Sequence, residues 1–191
     1  MSTKGIENQF MVLYDEQADA VFRFCLLRTS DRSTALDITQ ETFLKFWKVL
    51  LRGDRVDNER ALLFTITRNL VIDWFRSKRP LSLDALSEWD EESAEEGFPS
   101  IVPEEVGRVK DDLELQSEAQ FVMRRLHELD PPYREALYLR FVEDMRPAEI
   151  AGIVGKSVNV VSVRIHRGIQ KLRKLTGYEY VREQPQPHES I

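Results

Sequence analysis

The sequence predicts an all-α fold: two small helical domains, an N-terminal helical bundle and a C-terminal helix-turn-helix, joined by an acidic flexible linker. Apolar residues recur at three- and four-residue steps over two separate stretches. Charge is segregated along the chain rather than mixed. Short polar residues, prolines and glycines stand where those helices would start and stop. The expected division is residues 1–80, a linker at 81–116, residues 117–176, and a disordered tail at 177–191.

Composition narrows the class. The 191 residues are 42% hydrophobic and 31% charged, enough for one ordinary domain or two small cores. The longest charge-free stretches run about seven residues, such as Ala61 to Thr67 and Ser157 to Val163. A membrane span needs about twenty apolar residues, so no membrane insertion is expected. Met1 to Phe10 lacks the apolar run of a secretion signal. The single cysteine, Cys25, cannot form an internal disulfide, and no Cys/His cluster has metal-ligand spacing. These bounds read as a soluble, cytoplasmic protein without metal, cofactor or small-molecule substrate.

The net charge of −6 is unevenly spread. Residues 1–80 carry 13 basic and 11 acidic side chains, and residues 119–191 carry 12 and 9. Between them, residues 81–118 hold 2 basic and 13 acidic groups, a local charge of −11. Like charges at that density resist compaction. The segment is either a solvated spacer or an acidic arm suited to a basic channel in a partner, and it is long enough to fold back on the basic lobes.

In the first lobe, Phe10, Leu13, Tyr14, Ala18, Val21, Phe22 and Cys25 mark an amphipathic helix. Cys25 lies on that stripe and reads as a small core residue. After the polar break Thr29–Ser33, a second helix carries Leu36, Phe43, Phe46, Trp47 and Leu50 on one side. Asp37, Gln40, Glu41, Lys45 and Lys48 lie on the other. Asp37 and Glu41 are i,i+4 neighbours, but with Lys45 beside them and no His or Cys nearby they do not form an acid/base pair. They fit a salt-bridged solvated face or a polar docking surface. A third helix, capped by Asp57 or Asn58, buries Leu63, Ile66, Leu70, Val71 and Trp74 and stops at Pro80. Its other side shows Thr65, Arg68, Asn69, Asp73 and Arg76, then Lys78 and Arg79, groups able to bond bases and phosphates. Trp74, on the apolar stripe, reads as core in preference to a stacking platform.

In the second lobe, Ser117-x-x-Gln120 has the pattern of a capping box. Asp130-Pro131-Pro132 ends one helix and starts the next, lined by Tyr133, Ala136, Leu137 and Phe141. Pro147 to Val154, a turn at Gly155 and a cap at Ser157 lead into a helix with Val161, Ile165, Ile169 and Leu172 inward. That is a helix-turn-helix pattern. Its β-branched residues would allow a strand, but the inward spacing and the cap favour helix. Asn159, Ser162, Val163, Arg164, His166 and Arg167 point outward. His166 reads as a polar or phosphate contact, since His127 and His188 are not at ligand spacing.

Four segments in order resemble bacterial sigma factors of the extracytoplasmic-function (ECF) group within the sigma-70 family. Asp37-Ile-Thr-Gln40-Glu41-Thr-Phe43-Leu-Lys-Phe-Trp47 is similar to their D-x-x-Q-E-x-F-x-x-x-W signature. Phe64 to Asp73 resembles their Y-x-I-A-R-N-L-x-x-D segment. Leu126-x-x-Leu129 through Arg134, and Glu149 to Ala151 with Ser157 to Gly168, resemble their C-terminal domain. The resemblance implies that Asp37, Gln40, Glu41, Phe43 and Trp47 dock on the β′ clamp helices of RNA polymerase core, with the β subunit a further contact. It implies that Asn58, Arg60, Arg68, Asn69, Asp73, Arg76, Lys78 and Arg79 recognise and melt the minus-ten promoter element. It implies that Ser157, Asn159, Ser162, Arg164, His166 and Arg167 read the minus-thirty-five element. The acidic segment takes the place of the linker that threads the polymerase RNA channel. An anti-sigma factor is a partner common in the family. Leu62 or Leu63 stands where a tryptophan is common, and Ser162 where a lysine is frequent.

The function expected is therefore a non-enzymatic promoter-specificity subunit with promoter DNA and polymerase core as partners. The alternatives are a stand-alone helix-turn-helix regulator, which would be dimeric on a two-fold operator, and a helical adaptor that never touches DNA.

Overall fold

The computed structural model describes residues 3–78 and 113–177; Arg79, most of the acidic segment and the tail beyond Gly177 lie outside the described residues. Seven α-helices and one π-helical turn make up the described residues, among which there is no strand. Helix α1 spans Thr3–Thr29, α2 Arg32–Arg52 and α3 Glu59–Lys78. After the acidic segment come α4 (Leu113–His127), α5 (Pro131–Leu137), a π-helical turn (Tyr138–Val142), α6 (Pro147–Val154) and α7 (Val158–Thr176).

The breaks have local causes. The Asp31 carboxylate accepts the Thr34 N–H at 2.7 Å and caps α2. Gly53 ends α2 in the left-handed region at φ 74°, where a glycine carries no Cβ penalty. Asn58 caps α3 by accepting the Ala61 N–H at 2.9 Å. The first core gathers Leu13, Val21 and Cys25 of α1, Ala35, Ile38, Phe43, Phe46 and Leu50 of α2, and Leu63 and Val71 of α3. Leu36, expected inward, is 42% exposed. Thr39 and Thr42 are buried in its stead, their hydroxyls donating to the carbonyls of Ala35 and Ile38 at 2.7 and 2.8 Å.

The second lobe departs from expectation at three places. Helix α4 begins at Leu113, so Ser117 lies inside it and not at its cap. Asp130 holds the cap position of α5, but its side chain bonds the Lys171 ammonium across to α7. The π-helical turn shifts the register that follows Leu137: Tyr138 and Leu139 turn inward and Phe141 is 62% exposed. Elsewhere the reading holds. Gly155 sits at φ 67°, the Ser157 hydroxyl accepts the Val160 N–H at 3.3 Å, and the Val-rich segment is helical with Val161 buried.

Helix α1 has a second buried face that the periodicity of its first stripe hides. Ala20, Phe24 and Leu27, with Phe64 of α3, share one apolar cluster with Leu126, Leu129, Leu137, Tyr138, Leu139 and Ile150 of the second lobe. Phe24 meets Phe64 edge-on at 5.4 Å between ring centroids and lies 5.8 Å from Tyr138. Burying one such ring contributes about 1.5–3 kcal/mol. The two lobes are thus packed on each other through apolar side chains as well as polar ones.

Candidate nucleic-acid interface

The outer face of α7 is held in place from behind. Val161 is buried against α6, and Gly168 lets α7 approach α5 so closely that a Cβ there would lie 3.1 Å from the Leu137 side chain. Asn159, Ser162, His166 and Arg167 are exposed on that face and Arg164 is half-buried at its edge. The Ser162 hydroxyl donates to the Val158 carbonyl at 2.9 Å, and the His166 ring lies 3.0 Å from the Gln170 amide. Donors, acceptors and the methyls of Val163 on one rigid cylinder match what a major groove presents.

On α3 the expected residues divide into two groups. Asn69, Asp73, Arg76 and Lys78 face solvent, Asp73 and Arg76 forming an ion pair at 3.8 Å. Trp74 is half-buried, T-shaped to Phe75 at 4.6 Å and within reach of the Lys78 ammonium at 5.9 Å, so it supports the face more than it lies on it. The other group is turned toward the second lobe. The Asn58 amide donates to Glu149 at 2.9 Å, and the Arg60 guanidinium donates to Glu143 at 2.7 Å and to Gln17 at 3.0 Å. Arg68, expected on the outer face, is only 8% exposed and its Nε donates to Glu135 at 3.3 Å. Glu135 is 2% exposed and also accepts from Arg28. Burial alone would raise the Glu135 carboxyl, but the Arg28 and Arg68 guanidiniums outweigh it and hold the group below the ordinary range, hence ionised.

On α2, Asp37 and Gln40 are exposed and Glu41 is half-buried, 3.9 Å from the Lys45 ammonium. Phe43 is 3% exposed, so it shapes this face from beneath. It packs against Tyr14 at 4.7 Å, while Trp47 meets Phe10 at 5.0 Å. Beside the acidic face runs an apolar groove of about 410 Å³ lined by Phe10, Met11, Tyr14, Gln40, Leu44 and Trp47. Sequence reasoning missed Met11 and Leu44; the available signal was that both are large apolar residues off the core stripes. A second apolar groove of about 300 Å³, between α4, the π-helical turn and α7, involves Met123, Phe141, Val142 and Leu172.

The remaining titratable groups belong to the core. The Cys25 thiol is fully buried and pushed up to about 12 by burial. His127 is buried and pushed down to about 4, by burial and then by Arg134. Among the described residues, no group of His, Cys, Asp and Glu is arranged to hold a metal ion, and no helix is long and apolar enough to cross a membrane.

This arrangement defines a class: a helical protein with a helix-turn-helix in one lobe, its second helix exposing a polar face, and a polar helix face beside an apolar groove in the other. Known proteins agree. Residues 13–80 match the model of Sigma-70 region 2, and residues 122–172 match that of Sigma-70, region 4. The ECF RNA polymerase sigma factor SigL of Mycobacterium tuberculosis is 30% identical over 163 residues, covering 84% of this chain and 85% of SigL. The ECF RNA polymerase sigma factor BldN of Streptomyces coelicolor is 30% identical over 175 residues; the match takes in 90% of this chain and spans 61% of BldN's length. The fold is similar to that of the sigma factor RpoE of Bartonella quintana, solved in complex with the anti-sigma factor NepR. That likeness has a TM-score of 0.65 at 23% identity and covers 90% of this chain and 98% of that one. The chain belongs to the ECF RNA polymerase sigma factors, which direct promoter-specific initiation of transcription.

Proposed function

We propose that this chain binds RNA polymerase core through the α2 face, melts and reads a minus-ten element with α3, and reads a minus-thirty-five element with α7. The observation that carries this reading is the rigid outer face of α7, presenting Asn159, Ser162, His166 and Arg167 behind a Ser157 cap and a left-handed Gly155 turn. Arg164 at the edge suits a phosphate or a guanine. Residues 1–80 and 117–176 act as the two functional domains, with 81–116 as their linker and 177–191 as a tail.

Asp37, Gln40, Glu41 and the Trp47 edge are the polymerase contacts on the clamp helices, with Phe43 holding the helix in shape. Asn58, Arg60, Arg68, Asn69, Asp73, Arg76, Lys78 and Arg79 serve the minus-ten element. An anti-sigma factor, as RpoE has in NepR, is the regulatory partner to seek. The chain acts in the cytoplasm, where polymerase works, and contributes binding energy rather than catalysis. Affinity for DNA comes largely through the polymerase, since the lobes themselves carry few uncompensated positive charges.

Run-off transcription tests this with purified core, the full chain and a library of promoter fragments. Discrete transcripts that require the chain are expected, and Glu41→Lys should abolish them along with co-elution of chain and core. Normal co-elution of that variant would remove the docking assignment.

A further inference from the structure

The outer face of α7 has an apolar residue at its centre. Val161 and Gly168 are buried, and Ile165 and Leu172 pack against the same core, so these four set the inward direction of the helix. At about 100° per residue, Val163 falls almost diametrically opposite to their mean direction. It is 39% exposed, and Asn159 one turn before it and His166 and Arg167 one turn after it are exposed as well. Val158 and Val160 are exposed beside it. Valine is a weak helix former because its branched side chain loses rotamer freedom against the preceding turn, so at a solvent-facing position it brings α7 no local stability.

Two polar neighbours of Val163 are engaged within the helix. The Ser162 hydroxyl donates its one proton to the Val158 carbonyl at 2.9 Å, and a ring nitrogen of His166 lies 3.0 Å from the Gln170 amide. The Val163 side chain can neither donate nor accept. It is blind to the donors and acceptors of a major groove, and the one apolar feature that groove offers is the C5-methyl of thymine. An A·T pair beneath Val163 would bury that methyl against the isopropyl group. A G·C pair would leave polar base edges dehydrated against the valine with no partner. We infer that Val163 makes α7 selective for a thymine methyl group within the minus-thirty-five element, with the polar side chains of the same face bracketing that contact. This rests on the reading of α7 as the minus-thirty-five helix. A protein docked on the exposed valines is the competing occupant, and the test separates the two.

The test uses holoenzyme assembled from core polymerase and the full chain, on a promoter recovered by run-off transcription. Each thymine of the minus-thirty-five element, on either strand, is replaced in turn by deoxyuridine, which pairs identically but lacks the methyl, and promoter affinity is measured. At one thymine the parent should lose about fourfold in affinity, the worth of one buried methyl-sized group. Val163→Ala places a better helix former at an exposed position, so the fold is retained. It should bind the thymine template more weakly by a similar factor and be indifferent to deoxyuridine at that position. The proposal is overturned if no replacement affects the parent, or if the replacement affects Val163→Ala as strongly as the parent. Equal loss for Val163→Ala on every template, including one with a scrambled element, would also overturn it and assign the valine to a protein contact. Scrambling the element checks the underlying reading. A promoter that loses nothing when scrambled removes the minus-thirty-five assignment together with this proposal, and a library that yields no transcript removes both as well. Loss on scrambling with no response to deoxyuridine removes the proposal alone.

Discussion

Buried titratable side chains set how this protein responds to acid. His127 is neutral in the folded state, its ordinary value of 6.5 lowered to about 4. The unfolded chain therefore takes up a proton at His127 before the folded one does. Its contribution to stability is intact above about 6.5 and is lost as pH falls toward 4. Glu135 is held below its ordinary value of 4.5, so its contribution is intact above that value and is lost as pH falls through its folded value. Both groups weaken the protein in acid, His127 first. Thermal melts should show the melting temperature dropping by several degrees between pH 7 and 5, and His127→Leu should flatten that drop. A drop of equal size in the variant would assign it elsewhere. Cys25 is buried with its thiol pushed up to about 12, so it should resist a thiol-reactive dye in the native protein and react only on denaturation.

At the scale of an element, the glycines around α7 carry two different constraints. Gly155 is left-handed at φ 67° with open space around it, so Gly155→Ala costs backbone strain of about 1–2 kcal/mol and no clash. Gly168 has ordinary backbone, but a Cβ would meet Leu137 at 3.1 Å and Tyr133 at 3.3 Å; Gly168→Ala should cost about 1–3 kcal/mol by overpacking. Urea denaturation measures both losses. A Gly168→Ala variant as stable as the parent would mean that α5 and α7 can move apart freely. The π-helical turn is the other element-scale device. By inserting an extra residue into the turn it places Tyr138 and Leu139 in the core and leaves Phe141 at the mouth of the second groove. Sequence periodicity assumes 3.6 residues per turn, so Phe141 read as core.

Across the whole molecule, Phe24 joins the lobes. It is fully buried between Phe64 of the first lobe and Tyr138 of the second. Phe24→Ala removes a ring that both lobes share and should cost about 3–5 kcal/mol. In the parent, unfolding followed by tryptophan fluorescence, whose reporters among the described residues, Trp47 and Trp74, lie on α2 and α3 of the first lobe, should coincide with unfolding followed by helical circular dichroism. In Phe24→Ala the two should separate. Coincident transitions in the variant would mean that the lobes do not depend on this contact.

The sequence by itself determined most of the helices and the family. Apolar spacing, the Asn58 and Ser157 caps and the Gly155 turn act within a few residues of chain, and the structure has each of them where local chemistry puts it. The Asp37 to Trp47 and Ser157 to Arg167 segments are helical as their spacing predicts, because periodicity along one helix is a local property. Which face of α3 is open was decided only by tertiary structure. Arg68 reads as a solvent-facing cation from periodicity, yet it is buried against Glu135, 67 residues further along the chain. The second apolar face of α1 was hidden likewise, because Ala20, Phe24 and Leu27 belong to a cluster whose other members lie beyond the acidic segment. Helical periodicity reports that a face is apolar or charged but carries no information on what distant residue will cover it. That is settled by desolvation and pairing when the lobes meet.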